Sequence, residues 1–337
     1  MSDSRWPCFR GKVSLIEGDV VYFTRGSSVY AYSRASRAER RLFALPVSLL
    51  DRFLSSDSKV ARLTRRIVSQ VLRMAPGLLG VVGYSQIVIY DEHRGEIVKR
   101  HRLPFRRPLI AAAAWGHIYY GAYTGNPERL DVRLYRVDGQ HDASVVHTFH
   151  GVRHVHSVSH DPYTDNLWVT TGDDDEECGL WRIRRDGEPE YVVGGTQQLR
   201  VVQPLFTESH VLFGTDSPLE QNHIYRLSRD DLSVEKVCEV PNSVFYGCRV
   251  GGHVYFSTAA EPSEVNSVDE FLVVGSNDGG KNWRTVVRCR KDRLPFKLFQ
   301  YGQVHLPHGT NDTGHLYYTP MGAAGADLVT FERSELL

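Results

Sequence analysis

The sequence predicts an all-β chain, a seven-bladed β-propeller formed by residues 1–337 as one domain, with a six-bladed ring as the alternative. Three observations lead there. First, a short pattern recurs: a turn ending in Gly, Asn or His, then hydrophobic–aromatic–hydrophobic, then a small polar residue. It stands at 18–24, 116–121, 166–170, 210–215, 252–257 and 314–319, with a weaker copy at 77–82, mostly about 45 residues apart. Second, each copy is followed by another aromatic strand, at 29–32, 87–90, 132–135, 179–182, 223–226, 271–274 and 327–330. Third, 17 Tyr, 14 Phe and 29 Gly against 3 Met favour strands and turns over helices.

Taken in chain order, the elements follow from these copies. The segment around Trp6 to Phe9 is expected to supply the fourth strand of the last blade and so close the ring. One stretch breaks the pattern. In 47–75, Leu49, Leu50, Phe53 and Leu54, then Val60, Leu63, Ile67, Val71 and Met74, have helical spacing. Ser58 is placed to cap the second helix, and Pro76 with Gly77 to end it. The polar face of this helical insertion carries Arg52, Lys59, Arg62, Arg65, Arg66 and Arg73. It reads as a solvated basic face, or as a surface for an anionic membrane or a protein partner.

Charge narrows the partners. Lys+Arg and Asp+Glu are 40 each, so a dedicated nucleic-acid binder is not expected. No run approaches the roughly 20 apolar residues of a membrane span. The five cysteines contain no Cys-x-x-Cys pair, which argues for a reduced, cytoplasmic setting.

Propellers usually bind ligands where first strands begin and second strands end. The repeat register puts Arg107, His154, His156, Arg200, Tyr246, Lys297, Gln300 and Tyr301 on or entering first strands, and Tyr123, Asp173 and Asp216 at exits from second strands. Alternation sets His154 and His156 on one side. These residue types suit an anionic oligo- or polysaccharide. Arg107 or Arg200 would pair with a sugar carboxylate. His154 or His156 would remove the α-proton, and Tyr123 or Tyr246 would handle the second proton, which is β-elimination. Gln203, Lys297, Gln300 and Tyr301 would contact the substrate. Hydrolysis would need two flanking carboxylates, for which Asp173 and Asp216 are the candidates. The sequence requires no cofactor, but a divalent metal on His154, His156 and Asp216 fits equally. Asp174 and the acids after it read as a solvated turn. A non-catalytic glycan-binding or assembly scaffold is the rival reading.

The segment Ser276-Asn277-Asp278-Gly279-Gly280-Lys281-Asn282-Trp283 resembles the Asp-box of the sialidase-like (BNR-repeat) propellers, with Asn282 where the box has Thr. The stretches Arg107-Pro108, 119–123, His154-Val155-His156, 161–163, 168–173, Gln203, Thr215-Asp216 and 300–302 are similar to members of that family associated with polysaccharide gene sets. The resemblance covers residues 100 to 320 and implies a propeller fold and work on glycans. The arginine triad and Arg-Ile-Pro motif of true sialidases have no counterpart here, so sialidase activity itself is not expected.

Overall fold

The computed structural model describes residues 5–267 and 269–337. Five antiparallel meanders of four strands follow one another. They begin with the strands Lys12–Glu17, Val68–Ala75, Ala112–Ala114, Val155–Asp161 and Leu205–Phe206. The remaining strands form one eight-stranded sheet. In it the meander from Val244–Val250 to Arg284–Arg290 joins a second one, Gly302–His305, Leu316–Met321 and Val329–Arg333, where Ala259 and Ala260 pair with Gln303 and Gly302. The strand Arg5–Arg10 is the outer strand of that second meander, paired antiparallel to Val329–Arg333. The chain's start therefore closes against its end, as the sequence suggests.

The fold is a β-propeller. First strands of successive sheets lie against one another, and Lys12–Glu17 touches both Val68–Ala75 and Gly302–His305. Second strands are buried on both faces, which is why they read as continuous hydrophobic runs rather than alternating ones. Fourth strands such as Glu96–Arg102 are largely exposed and carry charge. The core lies between sheets: Leu72, Met74, Ile87 and Ile89 of the second meander pack on Ile118, Tyr120 and Val137 of the third.

Inner strands have no full ladder on their channel edge; isolated backbone bridges, such as Ile16 N–H to His308 O at 3.0 Å and Val158 N–H to Ile110 O at 3.1 Å, and side chains satisfy their backbone. Gln70 donates to Ala111 O at 3.2 Å and accepts from Ala111 N–H at 2.8 Å. Gln203 repeats this on Gly247, at 3.3 and 3.0 Å. Gln203, expected on the substrate, is instead a staple between sheets.

The insertion differs from its expectation. Helices span only Leu49–Leu54 and Ser58–Thr64, and Asp57, not Ser58, caps the second. Residues Val68–Ala75 are a strand whose bulges lie at Val68/Gln70 and Arg73/Ala75. The basic face is not simply solvated. Arg62 is wholly buried, 2.6 Å from Asp292 and 3.4 Å from Asp327, and its guanidinium also donates to Phe299 O. Arg73 is held by Glu17 and Glu92. Among the described residues no helix is long and apolar enough to cross a membrane.

Between the strands Glu270–Ser276 and Arg284–Arg290 lies the turn that resembles an Asp-box. Asp278 accepts from the N–H groups of Lys281 and Asn282, both at 3.0 Å, and Trp283 stacks on Phe256. The amide of Asn282 donates to Asp278 at 2.7 Å.

Candidate functional site

One packing device places the candidate residues. At Gly121 an added Cβ would lie 2.3 Å from Val155, and at Gly214 it would lie 2.5 Å from Val244. The end of a second strand can thus press against the start of the next sheet only because it is glycine. The contact is locked by Val155 N–H to Ala122 O at 3.0 Å and Val244 N–H to Thr215 O at 2.8 Å. Residues just beyond these contacts are brought side by side. Tyr123 meets His154, ring centres 4.3 Å apart. Asp216 meets Ser243, which donates to its carboxylate. The same step pairs Asp173 with Arg200 at 3.0 Å and Glu261 with Tyr301.

Asp173 is the hub. His154 Nε2 lies 3.4 Å from Oδ1, His156 Nε2 3.3 Å, Arg200 3.0 Å, and Arg153 reaches the other oxygen at 3.4 Å. Burial alone would raise this carboxyl; the two imidazoles and the Arg200 charge override it and hold it well below the ordinary carboxylate range. Each imidazole turns Nδ1 to a backbone carbonyl, Thr124 O at 2.9 Å and Val201 O at 3.1 Å. A carbonyl cannot donate, so Nδ1 carries the proton. Each Nε2 therefore shows Asp173 a lone pair when neutral and a proton when charged. The Nε2 atoms and the carboxylate lie within 4.8 Å of one another, a nitrogen–oxygen set for one proton or one metal ion. The metal set expected at His154, His156 and Asp216 is corrected in one member: Asp173 completes it. Asp216 is buried and 3.6 Å from Arg200.

Burial pushes His156 down to about 4, against the pull of Asp173. Burial raises Asp216 despite Arg200, and Glu261 adds to the rise. The Tyr123 hydroxyl is raised mainly by burial and then by Asp216 and Asp173, so it holds its proton. His156 is 1% exposed and sits behind His154, so only His154 of the pair reaches a cavity. Arg200, expected on a sugar carboxylate, is taken up by two protein carboxylates.

The cavity holds about 290 Å³ and is walled by Arg65, Arg106, Arg107, Arg153, Tyr123, His154 and Asp173. Arg65 comes from the insertion, so the helices help build this wall. Arg107 also walls a tighter pocket of about 30 Å³ with Lys12, Tyr246, Gln300, His305 and His308. Gln300 donates to Arg62 O at 2.8 Å, Tyr301 packs near Phe245, and Lys297 is exposed on the short helix Phe296–Phe299. The acidic turn after Asp173 is clamped rather than free: Arg129 pairs with Asp174 and Glu177, and Glu177 accepts Arg153 N–H at 2.9 Å.

Sequence reasoning missed Glu261, Lys12, His305 and His308. Glu261 holds the register position of Asp216, one sheet later, and that register could have found it. Lys12 is the charged opening of a first strand whose next residues, Val13 to Ile16, are all buried.

No protein-family model and no curated protein matches the chain. Solved structures do. A chain of a mitotic checkpoint complex aligns with TM-score 0.60 and 12% identity, covering 100% of this chain and 96% of that one. One of two prolyl endopeptidases analysed for the role of inter-domain dynamics aligns with TM-score 0.57 and 13% identity, over 94% of this chain and 47% of that one. At such identities the likeness establishes the β-propeller fold alone.

Proposed function

We propose that the channel face binds a carboxylated glycan and cleaves it by β-elimination. We read the eight-stranded sheet as two blades joined at one edge pairing, giving a seven-bladed ring of the sialidase-like type. The observation that carries the reading is the 290 Å³ cavity, where four guanidinium-bearing residues face one carboxylate beside a tyrosine and a histidine. Arg107 and its neighbours neutralise the uronate carboxylate and so acidify the adjacent C–H. Asp173, held ionised, is a weak base, which leaves His154. Its Nε2 takes the α-proton once substrate draws it from Asp173, and Asp173 then stabilises the imidazolium. The C–H electrons form the double bond, the glycosidic C–O bond breaks, and Tyr123, kept protonated, gives its proton to the leaving oxygen. Hydrolysis fits less well, because Arg200 engages both Asp173 and Asp216.

The test is a screen of uronate oligosaccharides for the ultraviolet absorbance of an unsaturated product. Tyr123→Phe should lower kcat by about a hundredfold or more and leave thermal stability unchanged, since no hydrogen bond of its hydroxyl is lost. Unsaturated product formed at the wild-type rate by this variant would remove Tyr123 from the mechanism.

The scaffold reading has its own support. Leu49, Leu50 and Phe53 are 81, 61 and 74% exposed on the first helix, beside the basic Arg52, as a surface that docks a membrane or protein partner would be.

A further inference from the structure

The 30 Å³ pocket is an electrostatic anomaly. Lys12 is 4% exposed, and its ammonium donates to Ser69 O. Arg107 lies 3.5 Å from Ser69 Oγ, His305 lies tilted against Tyr246 with ring centres 5.0 Å apart, and His308 contacts Gln70 at 3.0 Å. Among the described residues the pocket wall contains Lys12, Arg65, Arg107, His305 and His308 and no Asp or Glu. Burying a cation without a counter-charge is costly, and native chains almost always pair one. Here every charged group bearing on Lys12 and His305 is itself basic. The protein answers in the only way left to it: burial, helped by Arg107, pushes the ammonium down to about 7.

We infer that this pocket is a binding site for a small oxyanion, a carboxylate, sulfate or phosphate group, held by Lys12 and Arg107. Its volume is on the scale of a small polar group. Arg107 walls both this pocket and the larger cavity, so an anionic substituent on a bound saccharide can enter from there. A free inorganic anion can fill the same place. The inference deepens the glycan reading but does not need the elimination chemistry.

The experiment is thermal unfolding and calorimetric titration of the full chain with sodium sulfate and sodium phosphate, against sodium chloride at equal ionic strength. At a hundredfold excess over Kd the oxyanions should raise Tm by about 5 °C, and chloride should not. Lys12→Met should be as stable as wild type, or more so, in chloride, and should bind sulfate at least about tenfold more weakly. Should that variant fail to fold, Arg107→Gln carries the same expectation for binding. Methyl glucuronoside that displaces sulfate identifies the group as one borne on a sugar; sulfate binding that depends on Lys12 without such displacement identifies a free anion. Oxyanions with no effect beyond chloride, or variants that bind sulfate as wild type does, would overturn the inference. Lys12-dependent sulfate binding together with no turnover of any uronate would leave this site standing and sink the elimination reading.

Discussion

Two sides of the channel face differ in how they handle charge. On one side Asp173, Asp216 and Glu261 converge with Arg200, Arg153 and two histidines, and each carboxylate has a partner within the protein. On the other, Lys12, Arg107, His305 and His308 line one pocket with no carboxylate among the described residues of its wall. On the first side the charges are met largely from within the protein. The second leaves a positive potential uncompensated, as a receptor for an anion should. A formal net charge of zero over the whole chain therefore coexists with a local excess of positive charge. Both were built by the same repeat, from residues that begin first strands or end second strands, so the chemistry lies in which side chain fills each register position.

The largest expected effect breaks the first side. Asp173→Asn leaves Arg153 and Arg200 facing no charge on that oxygen pair and should cost about 3 kcal/mol, within the range for losing one partner of a buried pair. Urea unfolding at pH 7 measures it, and an unchanged midpoint would show that the hub carries no weight. The same residue sets an acid limit. Its carboxyl titrates below its unfolded value, so its stabilisation is complete above about pH 5, begins to fall in the ordinary carboxylate range and goes on falling below it. His156, pushed down to about 4, adds stability that is full above about pH 6.5 and is lost on acidification towards that value.

Asp216 has the opposite sign. Its carboxyl holds its proton above the unfolded value, so rising pH from about 4 upward removes stability. Asp216→Asn has no such proton to lose. It should be more stable than wild type by roughly 1–2 kcal/mol at pH 8, with the gain fading near pH 4. A pH-independent difference between the two proteins would mean that Asp216 is ionised as an ordinary surface carboxylate is.

Much of this was legible in the sequence, for a physical reason. Second strands are buried on both faces, so their hydrophobic–aromatic runs mark each sheet, and the register that follows set Tyr123, His154, Asp173, Arg200 and Asp216 at one end. The segment 68–75 was not legible. Its bulges break a period of two, so Ile67, Val71 and Met74 recur at the four- and three-residue spacings of a helix. Pairing was not legible either. Nothing local distinguishes Arg200, which is used up by protein carboxylates, from Arg107, which is not. Nor does the sequence say that Gln203 spends its amide on a neighbouring backbone. Lys12 and His305 are nearly three hundred residues apart in the chain, and only closure of the ring makes them one pocket.

The central claim is that the arginine-walled cavity selects a ligand carboxylate. Calorimetric titration of the wild-type chain with a uronate oligosaccharide and with its methyl ester tests it most directly, since the two differ only in charge. The acid should bind at least about tenfold more tightly than the ester, the worth of one charge-assisted pair, and Arg107→Ala should abolish the difference. Equal affinity for acid and ester in the wild-type protein would contradict the account.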